Sequence, residues 1–262
     1  MTVGRAVRTP SGPLLLDVVR AEWTKLWSVR STPWALLATA AALVSLAVVF
    51  PATGPAVPPD PAAYGLRGFF QAQLGAAAVG ALVVTGEYAT GSIRATLAAT
   101  PQRLTLLAAK ALVVVATVGV VATASALLAF LVAARVLAGR GVSVAPGDPG
   151  ALRAVIGAGL YLAVVAVLAL ALAVLVRTSA GAIALVVALM LVLPGIANAL
   201  PASWQETVVP YLPAEAGQAI IGRTRFAPDR LLAAWTGFAI LCAYTATALA
   251  AAAVALDRRD SG

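Results

Sequence analysis

The central hydrophobic segment of the chain, residues 152–176, reads LRAVIGAGLYLAVVAVLALALAVLV and carries one charge, Arg153, at its start. About 20 apolar residues in an α-helix cross the hydrocarbon core of a membrane. Strands of a membrane β-barrel would alternate apolar and polar residues, and this segment does not. The segment therefore predicts a membrane-spanning helix.

Similar apolar segments recur on both sides of it. Of the 262 residues 61% are hydrophobic and 11% are charged, whereas soluble domains are nearer 45–50% apolar and about 25% charged. We therefore predict an all-α polytopic membrane protein with six transmembrane helices. The other five spans are predicted at residues 34–50, 68–85, 106–134, 180–200 and 231–256.

Six spans place both termini on one side of the membrane. That side holds 11 of the 18 Lys and Arg residues and the opposite side 7, and the densest group precedes the first span. Cytoplasmic loops carry the excess of positive charge, so both termini are expected to be cytoplasmic. The predicted organisation is a cytoplasmic N-terminus (1–33), a six-helix transmembrane domain (34–256) and a cytoplasmic tail (257–262).

The segment before the first span predicts an amphipathic helix. At about 100° per residue its apolar side chains fall within an arc of about 120°, and Pro33 then ends the helix. A tryptophan-bearing apolar face opposite a polar one is typical of a helix lying in the membrane interface, in contact with lipid. The alternative, an amphipathic helix packed on a soluble domain, is weaker because no such domain is present. The apolar arc contains Leu15, Leu16, Val19, Trp23, Leu26 and Trp27, the polar side Asp17, Thr24, Lys25 and Ser28, and Arg30 follows.

The connection between spans five and six is rich in proline yet still apolar. Non-helical backbone at membrane depth is tolerated only where protein or a cavity surrounds it. We therefore predict short re-entrant or interfacial helices on the outer face, and a loop lying flat at the headgroups is the alternative. The prolines are Pro194, Pro201, Pro210 and Pro213, and a basic patch of Arg223, Arg225 and Arg230 follows.

Several kinds of chemistry are disfavoured. The chain has one cysteine, Cys242, and no histidine, so it offers neither a His/Cys zinc site nor a His-based catalytic triad. It has no phosphate-binding loop of the GxxxxGK[ST] type. No basic segment interleaves with aromatic residues as nucleic-acid binding requires. We expect no catalytic, metal or cofactor site and no nucleic-acid partner.

Ion-coupled carriers usually have ionisable residues within their spans. Here such residues lie at the predicted span ends. These observations favour a permeating or scaffolding subunit that is driven from outside. A six-span membrane enzyme or assembly protein and a stand-alone carrier remain alternatives. The residues at span ends are Glu87, Lys110, Arg135, Arg153 and Arg177.

Four segments, in order along the chain, resemble a known family. They are RAEWTKLWSVRST (20–32), EYATGSIR (87–94) with TPQR (100–103) and Lys110, RTSAGAI (177–183), and YLP with GQAI (211–220). Together they resemble the membrane-spanning permease subunit of type-2 ABC exporters, particularly the actinobacterial permeases. The resemblance covers nearly the whole chain.

The resemblance implies a dimer with a second copy or a related permease in a bacterial cytoplasmic membrane. Separate ABC ATPase subunits would bind ATP and magnesium, and substrate would cross between spans two and five of facing subunits. A short coupling helix, about Gly91 to Ala99, would dock on the ATPase. The implied coupling residues are Glu87, Gly91, Ser92, Ile93, Arg94, Thr96, Pro101 and Arg103; the interfacial helix contributes Trp23, Lys25, Trp27 and Arg30, and the outer loop Tyr211, Pro213 and Gln218.

Two local interactions are expected around this coupling helix. Thr100 and Pro101 suit a cap and first-turn proline that open span three. Glu87 ends span two, where it is expected to pair with Arg94 or Arg103. A solvated loop carboxylate is the alternative for Glu87.

Overall fold

The computed structural model describes residues 15–100, 102–197, 199, 201–222 and 232–259. All regular elements in these ranges are helical, and six helices are long and apolar enough to cross a membrane. The prediction of an all-α polytopic membrane protein is confirmed. The elements are α1 (Leu15–Ser28), α2 (Ser31–Thr53), α3 (Pro61–Gly65), α4 (Phe69–Thr90), α5 (Ile93–Ala99), α6 (Arg103–Ala138), α7 (Ala151–Val176), α8 (Ser179–Val187), a π-helical turn (Ala188–Val192), α9 (Leu193–Ala197), α10 (Ala202–Thr207), a 3₁₀ turn (Val209–Tyr211), α11 (Pro213–Gln218) and α12 (Ala234–Arg259).

The centre of the bundle is α7, the most deeply buried of the six long helices. It packs against α4, α6, α8 and α12. Its residues are apolar on every side, which suits a helix surrounded by other helices. The fifth span runs through α8, the π-helical turn and α9 as one segment, Ser179–Ala197.

The bundle has two ends, which we name after the short helices they carry. At the α5 end, the Arg103 guanidinium donates to the backbone oxygens of Leu256 and Asp257, so the start of α6 meets the end of α12. At the α11 end, the Arg140 guanidinium donates to the backbone oxygens of Pro51 and Gly54, so the end of α6 meets the end of α2. The first contact shows that α6 and α12 run antiparallel, and the second shows that α6 and α2 run parallel.

All five tryptophans are at least 44% exposed, and they lie at the two ends of the bundle. Trp23, Trp27 and Trp34 lie at the α5 end, and Trp204 and Trp235 lie at the α11 end. Tryptophan is enriched at both membrane–water interfaces. The distribution matches a bundle that spans a membrane with its two ends at the headgroups.

The connection between spans five and six enters the α11 end of the bundle. Every residue of α11 is buried. A Cβ atom at Gly217 would lie 2.9 Å from the Tyr161 ring, and one at Gly237 would lie 2.3 Å from the backbone oxygen of Ala216. Glycine therefore lets α11 sit directly on α7 and α12, which does not agree with a loop lying flat. The predicted basic patch lies outside the described residues.

Glycine also sets the distance between the first, second and fourth spans. A Cβ atom at Gly80 would lie 1.8 Å from the backbone oxygen of Ala166, and one at Gly75 would lie 2.4 Å from the Thr39 hydroxyl. Small residues at such crossings let the backbones of membrane helices approach closely. By contrast, a Cβ atom at Gly86, also on α4, would have no atom within 4 Å.

We expect Gly80→Ala to destabilise the protein by about 1–3 kcal/mol, the cost of overpacking a tight contact. Gly86→Ala is the matched control because its added methyl group meets no neighbour, and alanine favours the helix. Thermal unfolding of the purified protein in detergent measures both. Equal midpoints for the two variants would contradict the close contact at Gly80.

Candidate functional site

Four charged side chains meet at the α5 end. Glu22 and Lys25 lie one turn apart on α1, Glu87 lies in the last turn of α4, and Lys110 lies about two turns into α6. We call these four residues the charge cluster. It joins three helices that are far apart in the sequence.

The two lysines alternate with the two glutamates. Lys110 Nζ donates to Glu22 Oε2 (2.7 Å) and Glu87 Oε1 (2.8 Å). Lys25 Nζ donates to Glu87 Oε1 (2.8 Å) and Glu22 Oε1 (3.1 Å). Two positive and two negative charges leave the cluster neutral overall.

Burial makes these ion pairs mutually dependent. The side chains of Lys110 and Glu22 are each 4% exposed, whereas that of Lys25 is 45% exposed. A buried charge without its partner is strongly destabilising, and the loss exceeds the net gain from forming the pair. Lys110 therefore requires both α1 and α4 beside it.

Lys25 remains protonated across the physiological pH range. Partial burial lowers its pKa, but the hydrogen bond to Glu87 and the charge of Glu22 outweigh burial, so the pKa is raised above its usual value. A lysine with a raised pKa stabilises the fold fully below its unfolded-state pKa and loses that effect as the pH rises through the folded-state value. The contribution of Lys25 is thus lost only in strong alkali.

The cluster is connected to α5 through Lys25. Lys25 Nζ donates its third hydrogen bond to Thr96 Oγ1 (3.0 Å). Leu97 packs against a small apolar group formed by Val18, Leu106 and Ala109. None of the seven α5 residues is buried, and Arg94, Ala95, Ala98 and Ala99 are exposed. The helix has an anchored inner face and an open outer face.

The start of α5 follows a glycine turn. Gly91 ends α4 in the left-handed conformation (φ 69°), which favours glycine because other residues pay a steric cost there. The Ser92 and Thr90 hydroxyls lie 2.9 Å apart, and Ser92 makes no capping hydrogen bond. Ile93, half-buried, begins the helix. The predicted coupling segment, Gly91 to Ala99, is thus a turn followed by a seven-residue helix.

The predicted cap of span three is wrong. Thr100 ends α5, and Gln102 is the residue that precedes the first turn of α6. The Gln102 amide oxygen accepts a hydrogen bond from the Thr105 hydroxyl (3.0 Å). Pro101 lies outside the described residues.

The predicted pairing of Glu87 with Arg94 or Arg103 is also wrong, and Glu87 is not solvated. Its carboxylate is directed into the bundle, where Lys25 and Lys110 bind it. Arg103 instead donates to backbone oxygens in the last turn of α12, where helices leave carbonyl groups unpaired. Sequence distance favoured the nearby arginines, whereas the fold brings the two lysines closer.

Helix α1 does not face the bundle with the apolar arc that the sequence predicted. A buried stripe of Val18, Glu22 and Leu26 packs toward α6. Trp23 and Trp27 are exposed, with ring centroids 6.1 Å apart. Lys25, expected on the far polar side, belongs to the charge cluster. Arg30 is exposed between α1 and α2. Hydrophobicity alone did not separate a lipid-facing side from a protein-facing one.

The turn between α7 and α8 also reaches the α5 end. Arg177 ends α7 with a positive φ of 63°, and its guanidinium lies 5.3 Å from the centroid of the Tyr88 ring. Thr178 caps α8 by accepting from the Gly181 backbone N–H (3.3 Å). Segments 87–94 and 177–183, far apart in sequence, are therefore neighbours.

A second polar cluster lies near the α11 end. The Tyr161 hydroxyl donates to Gln73 Oε1 (2.7 Å), and α11, which carries Glu215 and Gln218, packs against the Tyr161 ring. All four side chains are buried. Of the outer-loop residues singled out by sequence, Gln218 belongs to this cluster and Pro213 opens α11.

Tyr211, the third of those residues, is half-exposed, and its backbone oxygen accepts from the Tyr244 hydroxyl (3.4 Å). Sequence reasoning missed Glu22, Gln73 and Glu215 as site residues. The one available signal for Glu215 is a carboxylate directly after Pro213 and Ala214 in an otherwise apolar segment.

The part of the chain that the structure describes contains no group of three or more His, Cys, Asp or Glu side chains able to hold a metal ion. No protein-family model matches the chain, and no curated protein matches it. The site is therefore interpreted from its own geometry.

We expect Lys110→Met to destabilise the protein by about 3–5 kcal/mol, because it leaves two buried carboxylates short of a partner. Lys25→Met is the matched control and should cost much less, since the Lys25 side chain is nearly half exposed. Thermal unfolding in detergent compares the two. The double variant Lys110→Met/Glu22→Gln should recover part of the loss; similar losses for both single variants would contradict the burial of Lys110.

Proposed function

We propose that this chain is the membrane-spanning permease subunit of an ATP-driven ABC exporter. It pairs with a second copy or a related permease, and separate ABC ATPase subunits bind ATP and magnesium. The chain itself has no catalytic role. Four family-like segments support the proposal, and three of them meet at the α5 end of the bundle.

The form of α5 is the observation that carries this proposal. A seven-residue helix is not stable alone in water, so its contacts with α1 and α6 hold it in place. Its outer face presents one cation, Arg94, among small residues such as Ala95 and Ala98. A short anchored helix with an open face suits docking into a cleft on a partner protein.

The charge cluster gives such a docked partner a route to the membrane helices. A push on α5 acts on Lys25 through Thr96, and Lys25 is bound to both α1 and α4. Lys110 extends the connection to α6. Charge pairs in a low-dielectric interior resist separation, so these helices would move together when the ATPase closes.

The α5 end is assigned to the cytoplasm of a bacterial cell, with both termini on that side. The sequence concentrates Lys and Arg there, as cytoplasmic loops do. The start of α1 and the end of α12 belong to this end. A soluble ATPase would then meet the exposed face of α5 directly.

The substrate pathway is assigned to spans two and five of facing subunits. Within one chain, α4 packs against α8. The fifth span leaves Leu185, Val192 and Ile196 exposed. An apolar face of this kind is suited to contact a second permease subunit.

The first test is co-purification and ATP hydrolysis with an ABC ATPase encoded next to this chain. We expect a stable complex, and we expect Arg94→Glu and Ala98→Arg to lower permease-stimulated ATP hydrolysis about fivefold or more, the usual size of a coupling effect. Both positions are exposed, so membrane insertion should be unaffected.

Val57→Glu is the matched control, because Val57 is exposed at the α11 end, away from α5. It should leave stimulated hydrolysis unchanged. Failure of the chain to bind any such ATPase, or normal stimulation by both α5 variants, would contradict the proposal.

A stand-alone carrier is the second candidate, because Glu215 is buried on α11, which packs against Tyr161. An ionisable residue at membrane depth is a functional-site hypothesis in its own right. This candidate requires transport by the isolated chain in liposomes without ATP, abolished by Glu215→Gln. The exporter proposal expects no such transport.

A further inference from the structure

A pocket of about 290 Å³ opens beside the charge cluster. It lies between α1, the beginning of α2 and the last two turns of α4. Its lining is partly apolar and partly polar, and it includes the cluster residues Glu22, Lys25 and Glu87. We call it the interfacial pocket. Leu82, Val83 and Gly86 of α4 also line it.

Glu87 lines this pocket, and one of its two carboxylate oxygens lacks a donor. Glu87 uses Oε1 to accept from both lysines. Its Oε2 atom is buried and has no hydrogen-bond partner among the described residues. A buried acceptor without a donor costs about 1–3 kcal/mol, and more when it is charged. A turn of the carboxylate toward the pocket would let Glu87 Oε2 accept a hydrogen bond from a bound molecule.

The neighbouring lysines do not supply that donor. Lys25 directs its three hydrogen bonds to Glu22, Glu87 Oε1 and Thr96. Lys110 directs its bonds to Glu22, Glu87 Oε1 and the Val83 backbone oxygen. An ammonium group has only three donors, so both are fully used.

The position of the pocket indicates what kind of molecule reaches it. It lies where the first span begins and the second ends, at the end of the bundle that carries exposed Trp23, Trp27 and Trp34. Tryptophans mark the headgroup level of a membrane. A ligand at this level has a polar headgroup and an apolar body, and Leu82 and Val83 offer apolar walls to such a body.

We propose that the interfacial pocket binds an aminophospholipid of the phosphatidylethanolamine class. Its primary ammonium donates to Glu87 Oε2, and a charged donor on a carboxylate makes one of the stronger hydrogen bonds in proteins. The phosphate that follows the ammonium would lie near the positive charge of Lys25, at the exposed side of the cluster. This inference needs the chain in a membrane but does not depend on an ATPase partner.

The choline headgroup provides a sharp comparison, because it carries the same charge without an N–H donor. We expect the purified chain to retain phosphatidylethanolamine over phosphatidylcholine of the same acyl chains by about tenfold, equivalent to about 1.4 kcal/mol. Native mass spectrometry of the protein in mixed micelles measures this ratio. Successive N-methylation of the headgroup should lower retention stepwise as donors are removed.

Gly86→Leu tests the location without changing a charge. Gly86 lines the pocket, and a Cβ atom added there meets no atom within 4 Å, so a leucine side chain can extend into the pocket. We expect this variant to lose the preference for phosphatidylethanolamine. Gly86→Ala adds only one methyl group and should retain most of the preference.

Three results would overturn the proposal. They are equal retention of the ethanolamine and choline lipids, an unchanged preference in folded Gly86→Leu, and equal retention of phosphatidylglycerol, whose hydroxyls are donors without positive charge. The methylation series uses the unaltered protein, so it decides the matter even if a variant folds poorly. None of these measurements involves ATP, so failure of the exporter proposal would leave them unaffected.

Discussion

A lysine inside a membrane helix constrains the whole α5 end of the bundle. Lys110 lies about two turns into α6, and its side chain is almost completely buried. An uncompensated charge in such a place is costly, so Glu22 of α1 and Glu87 of α4 must both be present. Because each of these carboxylates lies on a different helix, neutralising Lys110 fixes how the leader helix and the second span sit against the third.

The rest of the bundle is held together by close apolar contacts between backbones. The crossing of α4 and α7 at Gly80 brings backbone against backbone, and Gly217 and Gly237 do the same for α11. Such contacts have no charges and gain their energy from dispersion over short distances. The protein thus combines closely packed, apolar contacts along the spans with a few strong polar contacts at the α5 end.

The sequence was sufficient for the fold class and the number of spans, because length and continuous hydrophobicity determine both. The family resemblance also implied a short helix at about Gly91 to Ala99, and α5 begins at Ile93. The sequence did not identify the partners of Glu87, because local spacing suggested Arg94 and Arg103, whereas the actual partners come from helices 62 and 23 residues away. Tertiary packing decides such contacts, and hydropathy contains little information about it.

The face of α1 could not be assigned for a related reason. Lipid and protein interiors are both apolar, so Trp23 and Leu26 look alike in sequence although one is exposed and the other buried. Glu22 was the better indicator in retrospect. It lies on the buried stripe between Val18 and Leu26, where its charge needs a cation, and Lys110 near the start of a span is that cation.

The two lysines of the charge cluster differ in exposure, and this difference bears on how easily each of their contacts is altered. Lys110 is enclosed by its partners, whereas Lys25 is nearly half exposed and also reaches Thr96 on α5. Ion pairs open to water are weak, and buried ones are hard to break. The contact between Lys25 and Thr96 of α5 is therefore the more easily altered one. The buried pairs of Lys110, which join α1, α4 and α6, are the more rigid ones. In the proposed exporter, a force on α5 would shift this small helix first and would reach α1, α4 and α6 through Lys25. The proposed lipid at Glu87 would lie at this junction, so the proposed lipid and the proposed ATPase partner would act on the same carboxylate.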